Sequence, residues 1–336
     1  MSDQDECDCA DLPDPTRRWL STGLVLGLGA LGAASPRMRA NAAGAVPVTF
    51  DVDTSPGPAQ AARALQTFSG YLEAFNRGDF DGFGRFYAPD IDFRGRGGTF
   101  SGRAEVLAFY RNVKARVRET LTLRGLVVGR RQWIADVVTE LHAPEDWPDF
   151  PTGALRKGET RRSQNFIWYE MQDGLFKRVR SARHSAEPPA IAAGARLLVA
   201  DPSQQAISAP DFAAYMEAFN HDDYASFGDH YTDDVVLVIA GKRELRGRQA
   251  IFDFYRTVKS QTRRTIQVNR LVTTPGLFAV ELQSEFLALE DLPDFIAGPM
   301  RKGGRIFINT FVIYELKNGR FWRLRSAEFR KEDRPA

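Results

Sequence analysis

The stretch YLEAFN at Tyr71–Asn76 decides how this chain is organised, because it returns as YMEAFN at Tyr215–Asn220. The copies start 144 residues apart, at Tyr71 and Tyr215, and the segments that follow keep nearly the same spacing. RNVK at Arg111–Lys114 answers to RTVK at Arg256–Lys259, and PDF at Pro148–Phe150 to Pro293–Phe295. RKG at Arg156–Gly158 answers to Arg301–Gly303, and RSA at Arg180–Ala182 to Arg325–Ala327. A domain-sized period that occurs twice is a duplication, since solenoid units run only about 20–50 residues. Each functional residue can therefore be read against its counterpart in the other half.

Around the first motif, Ala61, Leu65, Phe68, Leu72 and Phe75 recur at steps of three and four, the period of an amphipathic helix. Its counterpart uses Phe212, Tyr215, Met216 and Phe219, with Ser208 as N-cap, Pro210 in the first turn and Asp211 three after the cap. Asn76 and Asn220 are read as the ends of these helices. Phe80, Phe83 and Tyr87, matched by Tyr224, Phe227 and Tyr231, predict a short second helix. A strand follows at Ile91–Arg94 and Val235–Ala240, then a third helix carrying Val106, Phe109, Tyr110 and Val113, or Ile251, Phe254, Tyr255 and Val258. Strand-like runs close each half: Thr120–Val128, Trp133–Ala143, Ser163–Met171 and Phe176–Ala182, repeated as Thr265–Thr273, Phe278–Ala288, Phe307–Leu316 and Phe321–Ala327. Helices first and strands after is an α+β pattern, with the helices on one face of a mostly antiparallel sheet.

The 336 residues are 43% hydrophobic and include 24 Phe, enough for a core in each half. A net charge of +2 with both signs well represented argues against a nucleic-acid partner. Cys7 and Cys9 are too few for a zinc-type cluster, so no metal and no cofactor are expected. Thr16-Arg17-Arg18-Trp19-Leu20 precedes an apolar run from Gly23 to Ala34, and Ala40-Asn41-Ala42 offers a small-residue cleavage site. This leader resembles a twin-arginine export signal. Its apolar run is short and rich in glycine for a membrane span, and an uncleaved anchor is the alternative to a cleaved signal. The resemblance implies a signal peptide over 1–42, a periplasmic or secreted protein, and no membrane partner once the signal is cleaved. Residues 43–58 read as a linker, 59–184 as the first domain, 185–207 as a second linker and 208–331 as the second domain.

The order of elements resembles the nuclear transport factor 2-like superfamily, and within it the SnoaL-like group named for polyketide cyclases. The residues that carry the likeness are YLEAFNRGDFDGFGRFYAPDIDF, FSGRAEVLAFYR and FIWYEMQDGLFKRVRSA. In the second half they are YMEAFNHDDYASFGDHYTDDVVL, LRGRQAIFDFYR and FVIYELKNGRFWRLRSA. The resemblance implies two cone-shaped domains, each three helices packed on a curved, mostly antiparallel sheet around an apolar pocket. It implies a small-molecule ligand, and acid/base chemistry by an isomerase, cyclase or dehydratase on an apolar or polyketide-like substrate. The same fold also serves as non-catalytic ligand-binding or assembly modules. Polyketide-cyclase relatives place an acid/base Asp near the end of the last strand, where this chain has Arg183-His184 and Glu328-Phe329.

Candidate catalytic residues are Asp92, Glu140, His142 and His184. Asp92, His142 and His184 occur in the first half only, with Val236, Leu287 and Phe329 as counterparts, which makes that half the expected site. Glu140, matched by Glu285, is either a base of raised pKa inside an apolar cone or an outward group paired with an Arg on a neighbouring strand. Candidate ligand-binding residues are Arg94, Tyr71, Tyr87, Tyr110, Trp168, and Trp147 of the loop EDWPDF, Glu145–Phe150. That loop suits either a lid over a pocket mouth or a structural crossover. The pairs Arg178/Arg180 and Arg323/Arg325 each share one sheet face and are expected at an intramolecular pseudo-dimer interface. There Glu140 is expected near Arg323 or Arg325, and Glu285 near Arg178 or Arg180.

If the leader acts by the twin-arginine route, replacing Arg17 and Arg18 by Lys leaves precursor in the cytoplasm, which immunoblotting of cell fractions detects. Export of that variant at the native level removes the assignment.

Overall fold

The structure, a computed structural model, describes residues 46–188 and 195–336. The leader read as an export signal, with Cys7 and Cys9, lies outside them. The first half runs β1 (Asp51–Thr54), α1 (Pro58–Arg77), α2 (Phe80–Gly84), β2 (Tyr87–Gly95), β3 (Gly98–Ser101), α3 (Arg103–Arg116), β4 (Arg118–Val128), β5 (Gln132–His142), β6 (Thr160–Gln172) and β7 (Leu175–Ser185). The second half repeats the order: α4 (Ala209–Asn220), α5 (Tyr224–Gly228), β8 (Tyr231–Ile239), β9 (Arg243–Arg246), α6 (Arg248–Gln261), β10 (Thr262–Thr274), β11 (Leu277–Ala288), β12 (Arg305–Lys317) and β13 (Arg320–Arg334). Each half is a curved, unclosed sheet with its helices on one face, the α+β architecture expected. Tyr87 and Tyr231, expected on the second helix, instead open β2 and β8.

The repeated motifs turn out to be fastenings. Asn76 does not stop α1, which runs one residue further and ends on Gly78 in the left-handed region, φ 71°. Its side chain reaches the first long strand instead, donating to the Leu121 carbonyl at 2.9 Å and accepting from the Leu121 N–H at 2.8 Å. Asn220 does the same to Ile266, at 2.9 and 2.8 Å. A carboxamide offers one donor and one acceptor side by side, so it pairs with a strand as a peptide group would. Tyr71 and Tyr87 meet hydroxyl to hydroxyl at 2.8 Å, and Tyr215 and Tyr231 at 2.7 Å. The Lys of the RNVK and RTVK segments lies over the motif phenylalanine, with Lys114 Nζ 4.0 Å from the Phe75 ring centre and Lys259 Nζ 4.4 Å from Phe219. In the loop before β6, Asp146 accepts from the Lys157 N–H at 2.7 Å, as Asp291 does from Lys302 at 2.8 Å. These bonds explain why EDxPDF and RKG return together.

Nine strands form a path in the order β1-β10-β11-β12-β13-β7-β6-β5-β4, with β2, β3, β8 and β9 branching from it, and β13 meets β7 at the single pair Glu328–Arg183. Segment 43–58, expected to be a featureless linker, holds β1, which pairs in parallel with β10 of the second half. Asp53 on β1 is 3% exposed and accepts backbone N–H bonds from Arg130, Arg131 and Gln132 of the β4–β5 turn at 3.0, 2.7 and 2.8 Å. One short strand thus ties both halves together. A four-residue strand carries too little periodicity to be read from sequence.

The faces of the two sheets that turn away from the helices pack on each other. Val127, Ile134, Phe166, Trp168 and Ala182 meet Val272, Leu277, Ala279, Phe311, Ile313 and Ala327, with the Trp168 and Phe311 ring centres 5.2 Å apart. The carboxylates at this interface follow the repeat, Asp136 matching Glu281 and Glu170 matching Glu315, but the arginines they hold do not, and the pairs differ from those expected. Arg325 pairs with Asp136 of the other half, and lies 3.5 Å from Glu315 of its own. Arg270 bridges Glu170 of the other half and Glu281, the latter at 3.4 Å. Glu140 and Glu285 take no part: each pairs on the neighbouring strand of its own sheet, Glu140 with Arg162 at 2.5 Å and Glu285 with Arg305. Position along the strand accounts for this correction: alternation puts Glu140 on the face of Asp136, but four residues further along β5, where its side chain is 39% exposed.

The two pairs should differ sharply on mutation. Asp136 is 1% exposed, so Asp136→Ala leaves the Arg325 charge buried and should cost about 3 kcal/mol. Glu140→Ala breaks a half-exposed pair and should cost less than about 1 kcal/mol. Calorimetry should show one transition for both halves. Two separated transitions, or equal costs for the two variants, would contradict the interface described.

Candidate functional site

The period of two along each strand separates two sets of side chains. The set facing the other half is described above. The set facing the helices of the first half includes Thr139 and Leu141 of β5, Asn165, Ile167 and Tyr169 of β6, and Val179, Ser181 and Arg183 of β7. With Tyr71 of α1, Tyr110 of α3, Phe93 of β2 and Glu119 of β4, they enclose a cavity of 1050 Å³. Its walls are mixed: aromatic and aliphatic side chains alternate with hydroxyl, amide, carboxyl and guanidinium groups, and its volume is that of a small-molecule site.

Glu119 is the group in this cavity with the most chemistry to offer. Its Oε2 is buried and has no hydrogen-bond partner. Burial pushes its carboxyl up to about 7, with the Lys114 ammonium pulling the other way. Lys114 does not neutralise it by contact, since its Nζ donates to the backbone carbonyl of Glu119 at 3.0 Å. Near neutrality this carboxyl is therefore divided between acid and base forms, the condition for taking a proton and giving one back. Burial holds the phenols of Tyr71, Tyr110 and Tyr169 well above their ordinary range, so all three stay protonated and can donate. Among the described residues no cluster of three or more His, Cys, Asp and Glu is placed to hold a metal ion.

In the second half the tyrosines return and the acid does not. Tyr215, Tyr231, Tyr255 and Tyr314 keep the places of Tyr71, Tyr87, Tyr110 and Tyr169, but Arg264 stands where Glu119 does. Its guanidinium lies over the rings of Phe219, Tyr255 and Phe286, at 5.3, 5.2 and 4.9 Å from their centres. The polarity of the site is reversed between the halves.

Of the residues singled out from the sequence, Tyr71 and Tyr110 line the cavity, and Tyr87 stands behind Tyr71 in their shared hydrogen bond. The other candidates lie elsewhere. Asp92 and Arg94 are on the outer face of β2, where Asp92 pairs with Arg94 at 3.1 Å and Arg178 at 3.4 Å. Burial pushes the Asp92 carboxyl up, but the two guanidinium groups outweigh it and hold it below the ordinary range. His142 lies on the face of β5 opposite Leu141, with Nδ1 3.2 Å from Thr160 Oγ1. His184 is at the interface between halves, stacked on Phe166 and donating from Nδ1 to the Ser326 carbonyl at 2.8 Å. Burial pulls its imidazole down, so it stays neutral. Asp92 and the two histidines have separate partners and form no proton-transfer pair. Glu140 is held by Arg162. Trp168 is also at the interface, donating to Gln132 Oε1 at 2.8 Å. Trp147 is buried within its loop under Arg116, and it is Phe150 of the same loop that reaches the cavity.

Glu119 escaped the sequence reading for a specific reason. The strand was read as starting at Thr120, two residues short of the start of β4 at Arg118. The signal was present: Glu119 opposite Arg264 reverses charge at a matched position of an otherwise well-kept repeat.

A family model described as SnoaL-like domain matches residues 68–179 and 212–324. No curated protein matches the chain. Solved structures that resemble it include a provisionally named polyketide cyclase of Xanthomonas campestris pv. campestris, 25% identical, with a TM-score of 0.32 over 36% of this chain and 90% of its own. TsrD from Streptomyces laurentii is 20% identical, with a TM-score of 0.32 over 36% of this chain and 88% of its own. A SnoaL-like polyketide cyclase from Agrobacterium tumefaciens is 18% identical, with a TM-score of 0.29 over 34% and 87%.

The raised carboxyl has a measurable consequence. Its ordinary value is 4.5, so between there and about 7 the folded chain keeps a proton that the unfolded chain releases. This contribution to stability is present in full below the unfolded value and is lost as pH rises through the folded one. Glu119→Gln should flatten that decline and be more stable than the native protein above pH 7. Urea unfolding at a series of pH values checks this, and parallel profiles for the two proteins would contradict the burial of the acid.

Proposed function

The chain belongs to the SnoaL-like domain family, and from that premise we propose that its first domain is a proton-transferring enzyme for a small apolar substrate, an isomerase, cyclase or dehydratase. The observation that carries this is Glu119, half-buried but with its Oε2 buried and without a hydrogen-bond partner, its carboxyl pushed up to about 7 at the wall of a cavity of 1050 Å³. In the proposed step the Glu119 carboxylate removes a proton from the carbon beside a substrate carbonyl. The electron pair left behind moves onto the carbonyl oxygen, and a phenol of the Tyr71, Tyr110 and Tyr169 group donates a hydrogen bond to it. Glu119 then returns the proton to another atom of the substrate, to a closing ring, or to a leaving hydroxyl. Burial of Oε2 among the side chains around it sustains the raised carboxyl.

In this reading the second domain supports the first. It supplies the opposing sheet face, and with Arg264 in place of Glu119 it lacks the base. Asp92, Glu140, His142 and His184 hold strands and domains together, and Tyr71, Tyr110 and Tyr87 behind them shape the ligand site. Export forms part of the proposal on the strength of Arg17-Arg18 and the apolar run behind them. A non-catalytic ligand-binding module is the second reading, favoured by the absence of any side chain that orients Glu119 Oε2 by a hydrogen bond.

Hydrogen–deuterium exchange at carbon separates the two. A panel of cyclic ketones and β-keto esters is incubated with the protein in deuterated buffer and followed by NMR. Native protein should exchange the acidic carbon proton of at least one compound, Glu119→Gln should slow this by about 10²-fold or more, and Glu140→Gln should leave it intact. No exchange by native protein, or exchange unaffected by Glu119→Gln, leaves the binding module as the reading.

A further inference from the structure

Four arginines reach the lining of the first-half cavity, and they are not equivalent. Arg161 is spent on Glu159 and on the Gly153 and Ala154 carbonyls, and Arg162 on Glu140. Arg96 and Arg183 line the same cavity without an ion pair to any described residue. Burial, and then the Arg183 charge, pull the Arg96 guanidinium below its ordinary value. Two acids that stand nearby do not quench them. Glu328 is the cross-strand neighbour of Arg183, and Glu187 lines the cavity, yet neither makes a salt bridge to either arginine.

The placement of both side chains is built into the fold. Arg183 continues the inward row of β7 beyond Val179 and Ser181. Arg96 sits in the β2–β3 turn, within Gly95-Arg96-Gly97-Gly98. That turn lies hard against α3, where a Cβ on Gly97 would come within 2.5 Å of the Phe109 ring. The repeat adds a second line of support. In the other half Glu328 takes the place of Arg183, and the turn reads Ala240-Gly241-Lys242 without an arginine. The half that has Glu119 has both unpaired arginines, and the half that lacks Glu119 lacks both.

Arg96 and Arg183 are both exposed while lining the cavity, so water solvates them, and an anion that joins them offsets their mutual repulsion. Their planar forks suit a carboxylate, which they can hold through paired N–H bonds. We infer that Arg96 and Arg183 form a carboxylate clamp in the first-half cavity, and that its substrate is an apolar acid whose body extends from the clamp towards Glu119. This deepens the enzymatic reading and rests on the first-half cavity being the working site. The clamp anchors one end of the substrate, so the reacting carbon is positioned by an interaction that takes no part in the proton transfer.

Calorimetric titration with 2-naphthoate and with 2-naphthalenemethanol, a neutral probe of the same shape, tests the clamp. Native protein should bind the carboxylate at least about tenfold more tightly than the alcohol, a margin that shrinks with added salt. Arg96→Gln and Arg183→Gln should each remove most of that margin and leave alcohol binding unchanged, which also shows that the variants are folded. Glu119→Gln should keep the margin. Equal affinity for the two probes, a margin that survives both arginine variants, or binding of neither probe overturns the clamp. A margin lost with the arginines, together with carbon exchange indifferent to Glu119→Gln, would leave the clamp standing and remove the enzymatic reading.

Discussion

Both faces of each sheet are buried, and most of this molecule follows from that constraint. A strand presents alternate residues to opposite sides. In each half one side must close against its own helices and the other against the opposite sheet. The helix side of the first half needs room for a ligand, so its residues are mixed: Thr139, Asn165 and Ser181 among Ile167, Val179 and Leu141. The interface side needs close packing, so it carries Ile134, Phe166, Trp168 and Ala182, with the charged rows of Asp136, Glu170, Arg270 and Arg325 neutralising one another around them. A residue's role is settled by which side its number falls on. Val138 and Thr139 are neighbours in the chain and belong to different functions.

The duplication separates what the fold needs from what the site needs. Features kept in both halves are fastenings: the Asn76 and Asn220 clamps on the first long strand, the buried tyrosine pairs, the lysines over Phe75 and Phe219, and the aspartates that hold the loop before β6 and β12. Features that differ are where the halves part in chemistry. Glu119 gives way to Arg264, Arg183 to Glu328, and Arg96 is lost. The same tyrosine-lined frame carries a buried acid in one half and a buried guanidinium in the other. A buried ionisable group costs free energy in either case, so its retention in an otherwise shared core is better explained by the ligand than by the fold.

The sequence by itself determined the duplication, the α+β class and the order of elements, because helical and strand periods are local and the repeat lets each element be read twice. It also determined that Tyr71 and Tyr110 face inward, since apolar spacing of three and four places them on the buried faces of α1 and α3. What it could not supply was the face of each strand that meets the cavity. Alternation leaves two choices, and both faces are rich in apolar residues because both are buried. The more polar row of β5, with Asp136, Glu140 and His142, left two readings open for Glu140, and the structure shows the outward one: that row faces away from the helices, and Glu140 pairs with Arg162 on the neighbouring strand. Asp92 and His184 went the same way, as strand partners and interface residues. Glu119 became visible only in three dimensions, where a carboxyl oxygen with no partner lies inside a cavity whose walls come from five strands and two helices. The crossing of β1 to the other half is likewise tertiary: four residues carry no readable period, and their place is set by the N–H groups that Asp53 finds on a turn some eighty residues away.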